Sequence, residues 1–309
     1  MISIVVCTHN GVDRIRPCLE SIAKQKNPPL FELIVVDNAS TDKTSELVSE
    51  QLESKFSEEL WKVITESTPG LLYARMAGLQ AARYDWVLFC DDDNVLFPDF
   101  LFQCQQFLSQ NLGIGVLGSN GIPEFLGSKP YWFDRYASSY AVGPQSVNSS
   151  GKSQLIHVYG ACSIYRKDPL IQLFQKGFSP VLSGRKGEHM SSGDDVEWCW
   201  LMQLLGYKVT FSAKLRFIHQ IPDSRLNWEY YLRLKQGISG SVGLLETYSF
   251  YSTHSFRPDI WFAINYGAQL AKSFLLYWKY RIRWNGFPNK PQDQLSYVIL
   301  QAQMKAFQN

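Results

Sequence analysis

The 309-residue sequence lacks several features that would place it in particular classes of protein. It has no run of about 18 or more uninterrupted apolar residues, which argues against a membrane-spanning helix. It has no block of Lys and Arg, and its formal net charge of +2 is too small to indicate a nucleic-acid partner. The six cysteines form no CxxC pair and several lie in apolar runs, which favours buried reduced thiols in a cytoplasmic protein over disulfides.

The chain starts with a strand pattern at 2–7, without a basic region or a cleavage site, and we therefore expect no signal peptide. Three further apolar runs, at 31–36, 61–64 and 86–90, have strand patterns, and helical patterns follow them. Such alternation is typical of βα units that build a parallel sheet. The glycine fingerprint GxGxxG is absent after the first strand, which weakens the interpretation as an NAD-binding protein.

Three consecutive carboxylates, Asp91, Asp92 and Asp93, follow the buried-strand pattern of 86–90. Adjacent acids repel one another unless a cation or hydrogen-bond donors meet them. Ligands bind at the carboxyl ends of the strands in open α/β sheets. The stretch therefore predicts a divalent-metal site at the rim of a parallel sheet. The alternative is a solvated acidic turn that caps the helix following Pro98.

Beyond the fourth helical pattern the chain is less regular. Residues 119–153 are rich in Gly, Ser, Pro and aromatic residues, which indicates an irregular insertion with a functional or mobile role. A second acidic group, Asp194, Asp195 and Glu197, lies at the start of a predicted helix at 196–205. Further strand patterns occur at 113–117, 155–159, 161–165, 208–211 and 215–219.

The last part of the chain, 226–309, changes to helical patterns at 228–248, 259–283 and 292–307. The segment 260–278 is apolar apart from three polar residues, and basic residues follow it. This pattern predicts an interfacial helix that lies on a bilayer, with aromatic residues on one side and basic residues near the lipid headgroups. The alternative is a helix that packs on the preceding domain or on a second copy of the chain.

Four polar motifs occur in an order that resembles a known family. The segment 6–10, Val-Cys-Thr-His-Asn, resembles the opening (V/P)-T-Y-N, and 36–42 resembles D-(D/N)-x-S-x-D. The triple aspartate 91–93 resembles DxD, and 193–197 resembles G-E-D-x-(D/E). These are motifs of the family 2 glycosyltransferases, inverting enzymes with the nucleotide-sugar-binding GT-A fold, which the sequence resembles over residues 1–225.

The resemblance implies an α/β fold: a GT-A type, single Rossmann-like domain over 1–225, with a mostly parallel central sheet flanked by helices. Residues 226–309 would form a C-terminal helical extension for packing, oligomerisation or contact with a membrane surface. The implied reaction is an inverting, metal-dependent transfer of a sugar from a nucleotide-diphosphate sugar to an acceptor hydroxyl, in cell-surface polysaccharide or glycan assembly. The acceptor would be a glycan or a lipid-linked glycan, and the location cytoplasmic or peripheral at the cytoplasmic face of the membrane.

The resemblance also implies a donor pocket, in which Thr8, Asn10 and Asp37 line the site of the nucleobase and ribose. A carboxylate such as Asp37 suits this role because it accepts hydrogen bonds from ring N–H or ribose hydroxyl donors. The alternative is that these residues make turn and capping contacts. Arg75 matches the arginine of the motif A-R-N, whose Asn is here Met76, and would face the phosphates or the sugar. The alternative for Arg75 is a surface arginine.

The leaving nucleotide diphosphate carries negative charge that Mn²⁺ or Mg²⁺, held by hard oxygen ligands, would neutralise. The resemblance implies that Asp93 coordinates this ion, Asp91 contacts the ribose or a metal-bound water, and Asp92 faces the sugar. His219 matches a position where many members of the family have a histidine near the metal. A lone histidine after a strand is otherwise more often structural.

Direct displacement with inversion needs a base that takes the proton of the acceptor hydroxyl. The resemblance assigns this role to Asp195, while Asp194 joins the nucleotide-sugar-binding residues. Asp194 and Glu197 would keep the proton affinity of Asp195 useful by crowding it with negative charge. The alternative is a helix N-terminus that favours acids through its dipole. The preceding loop, 183–193, would act as a lid over the diphosphate.

The aromatic residues Tyr131, Trp132 and Tyr136 would offer faces for stacking a sugar, or would belong to the core. Two other functions compete with sugar transfer. A sugar-phosphate nucleotidyltransferase would need a Gly-rich phosphate loop with a basic residue near the N-terminus, which 8–11 does not supply. A non-catalytic nucleotide-sugar-binding subunit would have lost acids, whereas both acidic groups are intact.

Overall fold

The computed structural model describes residues 1–145, 155–185, 190, 192–253, 258–284 and 286–306. Its strands are β1 (Ile2–Thr8), β2 (Phe31–Asn38), β3 (Trp61–Glu66), β4 (Trp86–Asp91), β5 (Asn94–Leu96), β6 (Ile114–Phe125), β7 (Ser163–Arg166) and β8 (Lys208–Ile221). Its helices are α1 (Ile15–Ala23), α2 (Thr44–Lys55), α3 (Leu71–Ala81), α4 (Phe100–Gln110), α5 (Phe133–Tyr136), α6 (Lys167–Gln175), α7 (Asp194–Leu204), α8 (Trp228–Gly240), α9 (Val242–Thr253), α10 (Pro258–Trp284) and α11 (Pro291–Ala306).

The strands form one sheet in the order β3-β2-β1-β4-β7-β6-β8-β5. The first four strands along the chain are parallel to one another. β7 runs antiparallel to both β4 and β6, β6 and β8 are parallel, and the short β5 is antiparallel to β8. The sheet is therefore mostly parallel, which confirms the predicted α/β class.

Helices cover both faces of the sheet. One core cluster joins the sheet to α1, α2 and α4, and the other joins it to α3, α6 and α7. β1 and β2 are consequently buried along almost their whole length, which explains their continuous apolar sequences. Gly78 permits close packing of α3, because a Cβ there would lie 2.3 Å from Cγ1 of Val5. This covering leaves the carboxyl ends of the parallel strands as the place where polar residues gather.

A third core cluster joins the C-terminal helices to the middle of the chain. Phe133 and Tyr140 pack there with Ile221 at the end of β8 and with Tyr231 and Leu234 of α8. α11 packs on α8, α9 and α10. The predicted helical extension is present, while the boundary between domains at residue 225 stays a prediction.

The structure corrects several predicted strands. Residues 119–125, which were expected in an irregular insertion, continue β6, and 208–221 forms one strand where two were expected. The β6–β8 pairing is irregular between Gly118 and Asn120, which pair with Phe211 and Arg216. This irregularity accommodates residues 212–215, where the sequence pattern suggested a break between two strands. The described residues 155–159 have no strand. Residues 146–153 of the insertion lie outside the described residues. All six cysteines are free and five are buried, as expected.

Candidate functional site

A cavity of about 810 Å³ opens at the carboxyl ends of β1 and β4. Its wall includes eight of the ten residues proposed for the site: Thr8, Arg75, Asp91, Asp92, Asp93, Asp194, Asp195 and His219. The parallel strands bring Thr8 close to the acids at 91–93, because β1 and β4 are neighbours and pair Cys7 with Asp91. Long-range folding brings Asp194 and Asp195 of α7 and His219 of β8 to the same place.

Asn10 and Asp37 lie outside the wall of this cavity. Asp37 is buried at the end of β2, and its Oδ1 accepts a hydrogen bond from the Ser40 N–H at 3.1 Å. Oδ1 of Asn10 accepts one from the Thr41 N–H at 2.8 Å. The contact of Asp37 is a turn contact, which the sequence left open as the alternative, whereas that of Asn10 joins two loops 31 residues apart. A nucleotide-binding role for the two residues stays a prediction.

Asp92 is held by the protein itself. The Thr8 hydroxyl donates a hydrogen bond to Asp92 Oδ2 at 2.6 Å, and Arg14 Nε donates to Oδ1 at 2.8 Å. Burial raises the pKa of Asp92, and the hydrogen bond from Arg14 opposes that rise. These contacts tie the end of β4 to β1 and to the start of α1, and a role of Asp92 toward the sugar stays a prediction.

Asp93 lies between two cationic or potentially cationic side chains. Its Oδ2 is 2.8 Å from Arg225 Nη1 and 3.6 Å from His219 Nε2. The β5–β8 pairing places Asn94 opposite His219, which brings the histidine to the acidic turn. Burial disfavours a charge on Asp93, but His219 and Arg225 outweigh it and hold the pKa of this carboxyl well below its usual range.

A hydrogen bond to the backbone fixes the orientation of the His219 ring. Its Nδ1 is 2.7 Å from the backbone oxygen of Tyr140, which can only accept, so Nδ1 carries the hydrogen. Nε2 faces Asp93: a protonated ring donates from this nitrogen to the carboxylate, and a neutral ring carries its lone pair there. Metal-binding histidines commonly have this arrangement, with the second nitrogen bonded to a carbonyl. The histidine therefore has the geometry of a ligand as well as a structural contact.

The donor atoms at Asp93 and His219 fit a divalent ion that also binds substrate. In the described part of the chain, no group of three or more His, Cys, Asp or Glu side chains is arranged to hold a metal. Mg²⁺-type sites in phosphate chemistry often use only one or two protein ligands, and substrate phosphates and water complete the coordination. Two protein ligands beside an open cavity match that kind of site.

Arg75 is buried, so the alternative of a surface arginine is wrong. Its Nη1 lies 2.7 Å from Asp194 Oδ2 and its Nη2 lies 3.7 Å from Asp91 Oδ1. The absence of a side chain at Gly160 makes room, since a Cβ there would lie 2.8 Å from Arg75 Nη2. Burial raises the pKa of Asp194 to about 6, although Arg75 opposes the rise. Arg75 thus joins the acids of β4 to those of α7.

Asp194 and Asp195 point to different partners from the first turn of α7. Whereas Asp194 contacts Arg75, Asp195 Oδ2 accepts a hydrogen bond from the Gly160 N–H at 2.9 Å. Its Oδ1 accepts one from the Val196 N–H at 2.9 Å, and the side chain lines the cavity. These contacts fix the direction of the Asp195 carboxylate without removing it from the cavity.

Glu197 has a structural role that the sequence did not indicate. It is fully buried and accepts hydrogen bonds from the N–H groups of Val181 and Leu182, both at 2.9 Å. The Tyr248 hydroxyl also donates to it. Glu197 therefore anchors the 181–182 segment and α9 to α7, rather than simply crowding Asp195 with charge.

Comparison with known proteins decides the family. A family model described as glycosyl transferase family 2 matches residues 3–174, more than half of the chain. The chain belongs to glycosyl transferase family 2. Among curated relatives of this family member, the poly(ribitol-phosphate) beta-N-acetylglucosaminyltransferase TarS of Staphylococcus aureus (strain Mu50) is 34% identical over 125 residues, which are 38% of the chain and 21% of TarS.

A longer match is the glycosyltransferase AglE of Haloferax volcanii, which is 23% identical over 216 residues, 68% of the chain and 64% of AglE. The family member thus spans only part of the length of these curated relatives. The S. aureus TarS 1–349 crystal structure with UDP covers 99% of the chain and 90% of its own, with a TM-score of 0.52 and 18% identity. The mannosyltransferase PcManGT of Pyrobaculum calidifontis, in complex with GDP-Man and Mn²⁺, covers 97% of the chain and 85% of its own, with a TM-score of 0.57 and 18% identity. The family member has the GT-A fold, as predicted.

The aromatic residues of the insertion belong to the core of this family member. Trp132 packs against Trp228 and Tyr231 with ring centroids 5.4 Å away in both pairs, and Tyr136 stacks on Tyr231 at 4.7 Å. Tyr131 is 91% exposed and lies outside the cavity wall. The core alternative therefore holds for Trp132 and Tyr136.

Three residues of the site were missed from the sequence: Arg14, Tyr140 and Arg225. Arg14 and Arg225 pair with acids that lie 78 and 132 residues away along the chain. Tyr140 contributes a backbone oxygen to His219. No local pattern could have indicated them, because their partners meet only in the folded chain. In the predicted lid, Arg185 lines the cavity, while 186–189 and 191 lie outside the described residues.

Proposed function

We propose that this family member transfers a sugar, with inversion, from a nucleotide-diphosphate sugar to an acceptor hydroxyl, assisted by a divalent cation. The observation that carries the proposal is one cavity into which both Asp195 and the pair Asp93 and His219 open. Displacement at an anomeric carbon needs a base on one side and charge neutralisation on the other. Arg75, buried between the two groups of acids, fixes their relative positions.

Asp195 is the proposed base. Backbone N–H groups hold its two oxygens, so the carboxylate is oriented before the acceptor binds. It would take the proton of the acceptor hydroxyl as that oxygen attacks the anomeric carbon. Asp194, whose carboxylate is paired with Arg75, would help to maintain this geometry.

Asp93 and His219 are the proposed ligands of the cation. When bound, Mn²⁺ or Mg²⁺ would neutralise the charge that develops on the leaving diphosphate. An imidazole nitrogen beside a carboxylate oxygen favours Mn²⁺, since Mg²⁺ prefers oxygen ligands. Asp91, which is the most exposed of the three neighbouring acids, would contact the ribose or a water molecule on the ion.

The proposed setting is the assembly of a cell-surface polymer. TarS is named for transfer to poly(ribitol-phosphate), and its crystal structure has been determined with UDP-GlcNAc. By analogy, the donor here would be a nucleotide-diphosphate sugar, and the acceptor a glycan or a lipid-linked glycan. The wall of the cavity opposite the parallel strands, formed by Tyr230, Leu234, Ile238 and Leu245, would receive the acceptor.

The proposal is tested by ligand-dependent thermal unfolding. UDP and GDP, each with Mn²⁺ or with EDTA, would be compared on the wild-type protein and on Asp93→Ala. Binding at about 100 times the Kd adds about 2.7 kcal/mol of stability, so we expect a shift in Tm of a few degrees that requires Mn²⁺. Asp93→Ala should abolish the difference between Mn²⁺ and EDTA.

Asp85→Ala provides the matched control, because Asp85 is exposed just before the amino end of β4, at the opposite edge of the sheet. It should behave as the wild type. Nucleotide stabilisation that is the same in EDTA, and unchanged in Asp93→Ala, would refute the metal assignment.

We also propose that α10 contacts an anionic lipid surface. Ile264, Leu275, Trp278 and Ile282 recur at helical spacing and are exposed, while Tyr277 on another face contacts Tyr297 of α11. Exposed Lys272 and Lys279 lie beside this apolar stripe. Apolar and basic residues side by side on a helix suit the headgroup region of an anionic bilayer. No helix in the described part of the chain has the length and apolar character needed to cross a bilayer.

This surface is tested with the paired substitution Leu275→Glu and Ile282→Glu. Both side chains are exposed, so the fold should keep its Tm while cosedimentation with phosphatidylglycerol vesicles is lost. Vesicles of phosphatidylcholine alone provide the comparison for charge. Unchanged cosedimentation would refute lipid contact, and a dimer that dissociates in the variant would assign the surface to a second copy of the chain. The cytoplasmic location stays a prediction.

A further inference from the structure

Arg225 is positioned to control the proposed cation site. It ends the turn Asp223–Arg225 that follows β8, and its side chain is 24% exposed on the wall of the cavity. Its Nη1 donates to Asp93 Oδ2 at 2.8 Å. The Tyr140 hydroxyl donates to the backbone oxygen of Arg225 at 3.0 Å, which fixes the turn and leaves the side chain to move.

Arg225 uses the oxygen that the cation would need. The same Oδ2 atom of Asp93 is the one that faces His219 Nε2 at 3.6 Å. An ion held by both residues would lie close to the guanidinium, and the positive charges of the two groups would repel each other. Arg225 and a cation therefore compete at Asp93 unless further negative charge is present.

The diphosphate of the donor would supply that charge. A guanidinium binds phosphate through parallel N–H groups, and Arg225 lies on the wall of the cavity that the diphosphate would enter. A rotation of the side chain about a fixed backbone would transfer its hydrogen bond from the carboxylate to a phosphate oxygen. Among the described residues, Arg225 is the arginine that is hydrogen-bonded to Asp93, and His219 Nε2 lies 3.6 Å away.

We propose that Arg225 occupies Asp93 in the free protein and moves to the donor diphosphate when cation and donor bind together. This inference rests on the proposed function. Arg225 would make the two ligands interdependent: the cation alone binds weakly, and the donor relieves the repulsion. Such interdependence is a coupling free energy, and it must appear equally in the affinity of either ligand.

The test measures Mn²⁺ binding directly, by the loss of the free-ion electron paramagnetic resonance signal. In the absence of nucleotide, Arg225→Gln should bind Mn²⁺ roughly tenfold more tightly than the wild type, because a competitor and a like charge are both removed. With Mn²⁺ present, the same variant should bind UDP or GDP roughly tenfold more weakly, because a phosphate contact is lost. The two effects have opposite signs.

Controls separate this pattern from general effects of charge or folding. Lys214→Gln removes one positive charge from an exposed position on β8 and should change neither affinity. Arg225→Lys, which keeps the charge without the paired N–H groups, should bind Mn²⁺ as weakly as the wild type and nucleotide more weakly than it. This conservative variant also preserves the test if Arg225→Gln fails to fold.

The outcomes distinguish the two proposals. If Arg225→Gln binds Mn²⁺ without nucleotide no more tightly than the wild type, Arg225 is only a structural partner of Asp93 and the present inference fails. Nucleotide affinity that is unchanged in Arg225→Gln would also overturn it. If the wild type binds no Mn²⁺ with or without UDP or GDP, the proposed metal dependence fails instead.

Discussion

The two halves of the sheet place functional residues by different means. In the parallel half, residues 1–110, each of the first four strands ends near one edge, and polar residues after β1 and β4 reach the cavity. In the mixed half, residues 114–253, parallel and antiparallel pairs occur together, and functional groups come from the start of α7, the end of β8 and the backbone at Tyr140. In the parallel half, functional residues follow the carboxyl ends of parallel strands. In the mixed half, their positions depend on individual long-range contacts.

The ion pair between Arg75 and Asp194 joins these halves. It connects α3 to α7 across 119 residues of chain, and both side chains are buried. The site is therefore assembled at a junction: the parallel half provides the acids of β4, and the mixed half provides the proposed base. Four predictions test this division.

The largest effect is expected at the proposed base. Asp195→Asn should lower kcat by about 10²- to 10⁴-fold, the usual contribution of a general base, because the amide cannot take a proton. Binding of donor nucleotide with Mn²⁺ should be unchanged, since Asp93 and His219 are intact. Steady-state kinetics and thermal shift would measure the two quantities. Asp134→Asn, at an exposed position of the mixed half, serves as the control, and transfer that survives in Asp195→Asn would assign the base to another residue.

The aromatic core of the mixed half gives the next effect. Trp132→Ala should lower the free energy of unfolding by roughly 2 to 4 kcal/mol, because its ring packs on α8. Tyr131→Ala, one position away and exposed, should change it by less than about 0.5 kcal/mol. Urea denaturation would measure both. Equal and small effects, together with loss of acceptor binding in Trp132→Ala, would restore the sugar-stacking interpretation.

The junction should show in the dependence of stability on pH. Burial, with the negative charge of Asp195, raises the pKa of Asp194 from 3.8 to about 6, and Arg75 limits the rise. Between these values the folded chain keeps a proton that the unfolded chain has released, so stability should fall as the pH rises from about 4 to about 6. Asp194→Asn removes this titration. Its stability curve should be flatter than that of the wild type by at most about 1.4 kcal/mol per pH unit.

Denaturation with urea at a series of pH values would provide the measurement. The buried Arg75 loses its partner in Asp194→Asn at every pH, which lowers the whole curve but leaves the difference in slope. Parallel curves for the two proteins would show that Asp194 does not titrate in this range.

The smallest effect concerns the attachment of α9. Tyr248→Phe removes the hydroxyl that donates to the buried Glu197, and we expect a loss of about 1 kcal/mol of stability. Glu197 keeps its two backbone donors, so the fold should persist. Tyr73→Phe, at an exposed position, is the control and should change the stability by less than about 0.5 kcal/mol. An equal response of the two variants would mean that α9 is not held through Glu197.

Local patterns predicted the parallel half well. The strands predicted at 2–7, 31–36, 61–64 and 86–90 all have bounds within two residues of the observed ones. The four motifs of the family resemblance led to the acids at 91–93 and 194–195, and these residues meet in one cavity. The errors lie in the mixed half, where 208–221 forms a single strand, 119–125 continues β6 and 155–159 has no strand.

The order of the βα units, the acids at the strand ends and the apolar faces could be predicted from the sequence, because these depend on periodicity and on residues close together in the chain. Three features are visible only in the folded chain: Thr8 and Arg14 hold Asp92, Arg75 is buried, and Arg225 pairs with Asp93. The physical reason is that the partner of a charged side chain is set by distance in space. Those partners are 78 to 132 residues away for the two arginines that pair with Asp92 and Asp93, and no local pattern records such a distance.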